Sequence, residues 1–125
     1  MLQYTSIFIS FSTDLLNETY HFYNHVLELE TEIVKQRFVH VYLPNGEPCV
    51  IYFKKDHSPA TYTVLNFQVI DIAKAVKHLT TKGVQFLPYS EPIKTDAQGI
   101  SWDDNGSHLA WFKDPGGNII ALIEN

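Results

Sequence analysis

Residues 108–125, HLAWFKDPGGNIIALIEN, decide the fold of this 125-residue chain. Two apolar runs, at 109–112 and 119–123, flank Asp114-Pro115-Gly116-Gly117-Asn118. Proline sets φ near −65°, whereas glycine and asparagine tolerate positive φ, so these five residues concentrate turn chemistry. The stretch reads as strand, tight turn, strand, and thus as a C-terminal hairpin.

Working outward, the chain upstream of this hairpin repeats one pattern twice. Residues 3–12 alternate Ile7, Ile9 and Phe11 with Ser6, Phe8 and Ser10, which predicts a half-buried strand. Thr13 or Asp14 is then placed to cap a helix whose apolar stripe includes Leu15, Leu16, Thr19, Phe22, Tyr23, Val26 and Leu27. Segments 31–37, 38–43 and 49–54 read as strands, the last two joined by the Asn45-Gly46 hairpin signal. A polar linker, 56–61, separates this module (1–55) from a second one (62–125) within a single domain. There, 62–70 alternates as a strand and Asp71 caps a helix with Ile72, Ala75, Val76 and Leu79 at helical spacing. Gly83 ends that helix, and 84–89 is predicted as a strand. Segment 91–106 follows, a polar loop with an extra β piece; Glu91, Asp96, Asp103, Asp104 and Trp102 could also form an acidic, aromatic rim.

The expected architecture is α+β, two βαβββ modules produced by internal duplication. Ordinary globular composition, 45 % hydrophobic and 18 % charged, supports one packed core. A formal charge of −5 argues against nucleic acid or an anionic membrane as partner. No apolar run is long enough for a membrane span, and the N-terminus lacks signal-peptide features. The single cysteine, Cys49, fits a reducing cytoplasm.

The stretches FYNHVLELE, NFQVIDIAKAVKHLTTKGV and FKDPGGNIIALIE, in this order and spacing, resemble the vicinal-oxygen-chelate superfamily of glyoxalases, bleomycin-resistance proteins and extradiol dioxygenases. The resemblance spans almost the whole chain. It implies a cup-shaped, eight-stranded mixed sheet with helices outside, a ligand or metal inside, and frequent homodimers. It also implies metal ligands at four places, which here hold Ile7 or Phe8, Tyr52, Val64 and Ala121. None of these offers the imidazole or carboxylate that a divalent cation needs, so no metal and no cofactor is expected at the family's site.

Strand parity places Ser6, Phe8, Ser10, Phe38, His40, Tyr42, Tyr52, Val64, Asn66 and Gln68 on the mixed, cup-facing side; the family pattern adds Leu109, Trp111, Ile119 and Ala121. From these the expected ligand-binding set is Phe8, Phe38, His40, Tyr42, Tyr52, Asn66, Gln68, Leu109 and Trp111. His40 is the only histidine read onto that side and is the candidate catalytic base. His21 and His25 could suit a metal by spacing but read as exposed helix residues, with His57 in the linker, His78 on the second helix and His108 opposite Trp111. Cys49 reads as a buried hydrophobe, and no nucleophile elbow or phosphate loop is present.

The expectation is therefore a metal-free, cytoplasmic, homodimeric protein that binds an aromatic or cationic small molecule, in the manner of antibiotic-resistance proteins. The alternative is a metal-independent lyase or isomerase using His40 with Tyr42 or Tyr52. A metal-dependent lyase or dioxygenase comes third.

Overall fold

The computed structural model describes residues 1–102 and 106–125. They form two compact units, Met1–Ser58 and Pro59–Asn125. Each is a four-stranded mixed sheet with its own helical segment, so the fold is α+β with βαβββ order in both halves.

The first unit contains β1 (Ile9–Thr13), α1 (Leu16–His21) running on into a π-helical turn (Phe22–Val26), β2 (Thr31–Val34), β3 (Phe38–Tyr42) and β4 (Pro48–Phe53). Its strand order is β1-β4-β3-β2, with β1 parallel to β4 and the other pairs antiparallel. The register sorts side chains by face as a two-residue period requires. Val39, Val41, Cys49 and Ile51 are buried on one side together with Thr13, Thr19 and Tyr23. Phe38, His40, Tyr42 and Tyr52 remain half-exposed on the other.

Two expectations for this unit are corrected. The first strand begins at Ile9, so Ile7 and Phe8 precede the ladder and are exposed, as is Ile9 itself. β1 pairs Ile9–Thr13 with Cys49–Phe53, and the next position back would set Phe8 against Pro48, which has no N–H to donate. The helix is also not capped by a side chain: Leu15 occupies the N-cap position. Thr13 instead turns inward, where its Oγ1 accepts from the Leu15 N–H (3.1 Å) and meets Thr19 Oγ1 at 2.9 Å. A buried hydroxyl pair satisfies both groups away from water.

The second unit contains β5 (Thr63–Gln68), α2 (Ile72–Thr81), β6 (Ile100–Trp102), β7 (His108–Lys113) and β8 (Ile119–Glu124), ordered β5-β8-β7-β6. Asp71 caps α2 by accepting from the Lys74 N–H (3.1 Å), and the helix passes into Gly83 at φ +95°. Ile72, Val76 and Leu79 are its buried stripe, and α2 packs on β6, β7 and β8. Beneath it lie Ile100, Ala110, Phe112, Ile120 and Leu122, all buried.

Residues 84–89 do not form the expected strand. Phe86 makes one isolated bridge to Phe112, and the Leu87 N–H donates to the Trp111 carbonyl (2.8 Å). Pro88 has no N–H with which to continue such a ladder. Most of that edge of β7 is taken by β6, which pairs Ile100, Ser101 and Trp102 with Ala110, Leu109 and His108.

The terminal hairpin forms as read. Asp114 and Asn118 close the turn with reciprocal bonds: Asp114 N–H to Asn118 O (3.0 Å), and Asn118 N–H and Nδ2 to the Asp114 carboxyl (2.9 and 3.1 Å). No helix among the described residues is long and apolar enough to cross a membrane.

Candidate functional site

Each sheet has a helix-covered face and a second, partly open face that carries most of the polar and aromatic residues singled out above, with Val50, Ser101 and Ala121 buried on it. In the first unit the register aligns them in rows. One row runs Val34, Phe38, Tyr52, Ser12; the next runs Glu32, His40, Val50, Ser10. Along β3 the His40 ring lies 6.4 Å from the Phe38 ring and 6.2 Å from that of Tyr42. Residues two apart on a strand share a face, so this is a continuous aromatic strip. Phe8, expected to join it, lies ahead of β1 and is 58 % exposed.

Two partners were not legible from spacing. His57, read as a linker residue, brings Nδ1 to 2.6 Å from Ser12 Oγ at the end of the Phe38–Tyr52 row. Glu32 accepts a hydrogen bond from the Tyr42 hydroxyl (3.1 Å). That bond to Glu32 raises the Tyr42 phenol above its usual range, with smaller contributions from desolvation and from the charges of Glu32 and Glu30. A hydrogen bond in which the neutral phenol donates favours the protonated form. Beside this pair, an open depression of about 410 Å³ is lined by Tyr20, Glu30, Thr31, Glu32, Ile33 and Tyr42 along the edge strand β2.

The second unit presents a sparser face. Asn66, Ala121 and Trp111 form one row, and Gln68, Ile123, Leu109 and Ser101 the next. Asn66 and Gln68 are exposed. Tyr89 packs edge-on against Trp111, with ring centroids 5.2 Å apart, a contact that only the path of residues 84–89 creates. Val64 lies at the register shift between Thr63 and Leu65.

The remaining candidates are explained locally. Partial burial would push the Asp96 carboxyl up, but bonds from the Ile100 N–H, the Trp102 indole, and the Gln98 and Gly99 N–H groups hold it below the usual carboxylate range. Asp96 and Trp102 are therefore tied to each other across the turn that leads into β6, the indole donating at 2.7 Å. Glu91 is exposed, and Asp103 and Asp104 lie outside the described residues. Cys49 is fully buried, and desolvation pushes its thiol up to about 11.

The donor set does not fit the metal that the fold family implies. Ile7, Phe8 and Val64 carry hydrocarbon only, and the Ala121 methyl is fully buried opposite Trp111. Tyr52 offers one phenol. A structural or catalytic divalent-metal site of the family's kind needs three or four convergent imidazole, thiolate or carboxylate donors. Among the described residues, no three His, Cys, Asp or Glu side chains converge.

No family model and no curated protein matches the chain. Solved structures do. Lactoylglutathione lyase from Agrobacterium tumefaciens superposes with a TM-score of 0.66 at 13 % identity, over 99 % of this chain and 96 % of that one. TnmS3, an antibiotic binding protein from Streptomyces sp. CB03234, gives 0.67 at 18 % identity over 99 % and 98 %. A glyoxalase/dioxygenase from Nostoc punctiforme gives 0.64 at 14 % identity over 94 % and 88 %. At these identities the likeness is one of fold: the chain shares the fold of these lyase, dioxygenase-type and antibiotic-binding structures, which is consistent with the resemblance read from its three stretches.

Proposed function

We propose that this protein captures an aromatic or cationic small molecule on the open, aromatic faces of its sheets, without a metal at the family's usual positions. The observation that carries this reading is the first unit's open face. There Phe38, His40, Tyr42 and Tyr52 stand half-exposed in register, with Glu32 at the Tyr42 hydroxyl. Large rings with a few polar points bind planar ligands by stacking and hydrogen bonding. The depression beside them joins two tyrosines to Glu30 and Glu32, a composition suited to a cation held by carboxylates and ring faces. That TnmS3 shares the fold and is an antibiotic binding protein supports capture of a drug-like molecule. We take the protein to be a cytoplasmic homodimer with no nucleic-acid or membrane partner. The exposed Leu2, Tyr4, Ile7, Phe8 and Ile9 supply apolar surface for a second copy.

A second reading, a metal-independent lyase or isomerase, is favoured by one observation. His40 lies directly across the ladder from Glu32, a carboxylate that could orient the imidazole as a general base. The raised Tyr42 phenol is a poorer proton donor than an ordinary tyrosine, which weighs against its role as the acid.

The test is a thermal-shift screen of chelator-treated protein against planar aromatic and cationic compounds, antibiotics among them. A ligand that binds only the folded state raises Tm by mass action. Shifts that persist in chelator and vanish in Tyr52→Ala support capture. Shifts that need added metal, or turnover abolished by His40→Ala, overturn it in favour of catalysis.

A further inference from the structure

One cluster takes no part in the open faces. His21 closes α1 and His25 lies in the π-helical turn that follows, four residues on. Both side chains are exposed, and their Nδ1 atoms stand 3.2 Å apart. The two rings are stacked, 5.1 Å between centroids at 26°. Tyr20 lies edge-on to each of them, at 5.4 Å from His21 and 6.3 Å from His25.

We propose that His21 and His25 form a surface chelate for one borderline divalent transition-metal ion, of the Zn²⁺, Ni²⁺ or Cu²⁺ class. The separation of the two nitrogens is the first support. Two metal–imidazole bonds of about 2.0–2.1 Å span about 2.9 Å at a right angle and about 3.3 Å at a tetrahedral angle. The observed 3.2 Å falls inside that window, so the nitrogens already stand at chelating separation and the stacked, exposed rings need only turn to aim both lone pairs at one ion. The second support is the helix. His25 sits in its last turn, where the carbonyl end carries partial negative charge and favours a cation, with His21 one turn before it. The third is the π-helical turn, made by the Leu27 N–H donating to the Phe22 carbonyl (3.0 Å), a local irregularity that often accompanies functional sites.

A hydrogen bond between the two Nδ1 atoms requires one of the rings to be the Nδ1–H tautomer. Metal binding needs both Nδ1 lone pairs, so that proton moves through solvent to Nε2, leaving both imidazoles neutral. Two protein ligands leave the other coordination positions to water or to an outside donor. The expected selectivity follows the imidazole series, Cu²⁺ above Ni²⁺ and Zn²⁺, with Mg²⁺ and Ca²⁺ excluded as oxygen-seeking ions. Its two ligands, His21 and His25, belong to neither the proposed ligand faces nor the depression, although Tyr20 beside them lines the latter, so the site stands whether or not that reading holds.

The experiment is calorimetric titration of the full chain, free of any affinity tag, with ZnCl₂, NiCl₂, CuCl₂ and MgCl₂ in separate runs. One ion per chain is expected for the first three and none for magnesium. His21→Gln and His25→Gln should each weaken binding by at least about tenfold, since even residues that merely orient a metal ligand cost that much. In a parallel NMR titration of the wild-type chain, paramagnetic Cu²⁺ should broaden the His21 and His25 ring signals first. Wild-type affinity in both variants, equal binding of magnesium, or first broadening at His40, His57, His78 or His108 would overturn the proposal.

Discussion

Replacing Asp114 by alanine should destabilise the protein more than any surface substitution. Asp114 is buried at the turn of the terminal hairpin, and its carboxyl accepts from both the backbone N–H and the Nδ2 of Asn118, itself buried. Each lost bond costs about 1 kcal/mol, and the amide left without its acceptor adds about another 1, giving about 3 kcal/mol. At about 2.1 cal/mol/K per residue, unfolding entropy for a chain of this length is about 0.26 kcal/mol/K, so Tm should fall by about 11 °C. Asp114→Asn keeps one carbonyl oxygen for the turn and should lose about half as much. Urea unfolding followed by circular dichroism and tryptophan fluorescence measures both. The turn also holds Trp111 opposite Ala121, so loosening it should change Trp111 emission before global unfolding. If Asp114→Ala unfolds within about 0.5 kcal/mol of wild type, the turn's hydrogen bonds do not matter as argued.

Gly99→Ala should cost about 2–4 kcal/mol, because a Cβ there meets Phe86 Cβ at 2.6 Å and the backbone has φ +93°. Gly46→Ala, at φ +88° with open space around it, should cost only about 1–2 kcal/mol, and paired denaturation curves test the difference. Cys49 should resist alkylation in the native protein and react quickly once unfolded. Because folding raises that thiol from 9.0 to about 11, the unfolded chain loses the proton first, and stability should fall as pH rises from 9 towards 11. Cys49→Ala should remove that part of the pH dependence. The Tyr42 phenol should titrate later than an ordinary tyrosine, and Glu32→Gln should bring it back down, as seen by NMR of the ring.

Local chemistry made much of the fold readable. Asp71 and Gly83 bound α2, the Asn45-Gly46 signal sits between β3 and β4, and Asp114 to Asn118 makes the last turn. Alternation in 38–43 separated Val39 and Val41 from Phe38, His40 and Tyr42, because a half-buried strand enforces it. What failed depends on pairing between distant segments. The late start of β1 follows from its register on β4, and the edge of β7 goes to β6 rather than to residues 84–89. The π-helical turn leaves no trace in an apolar stripe that an α-helix would equally satisfy. At the candidate site the faces were readable but the contacts were not. His57 reaches Ser12 across 45 residues, Glu32 reaches Tyr42 across a strand pair, and Tyr89 meets Trp111 only because of a loop's path.

The central claim is that ligand is held on the aromatic open face of the first sheet. Its most direct test is chemical-shift mapping of the isotope-labelled protein, in chelator, with the compound giving the largest thermal shift. The account predicts perturbations concentrated at Phe38, His40, Tyr42, Tyr52 and Glu32, with Val39, Val41 and Ile51 little changed. Perturbations confined to the helices, or appearing only after metal is added, would contradict it.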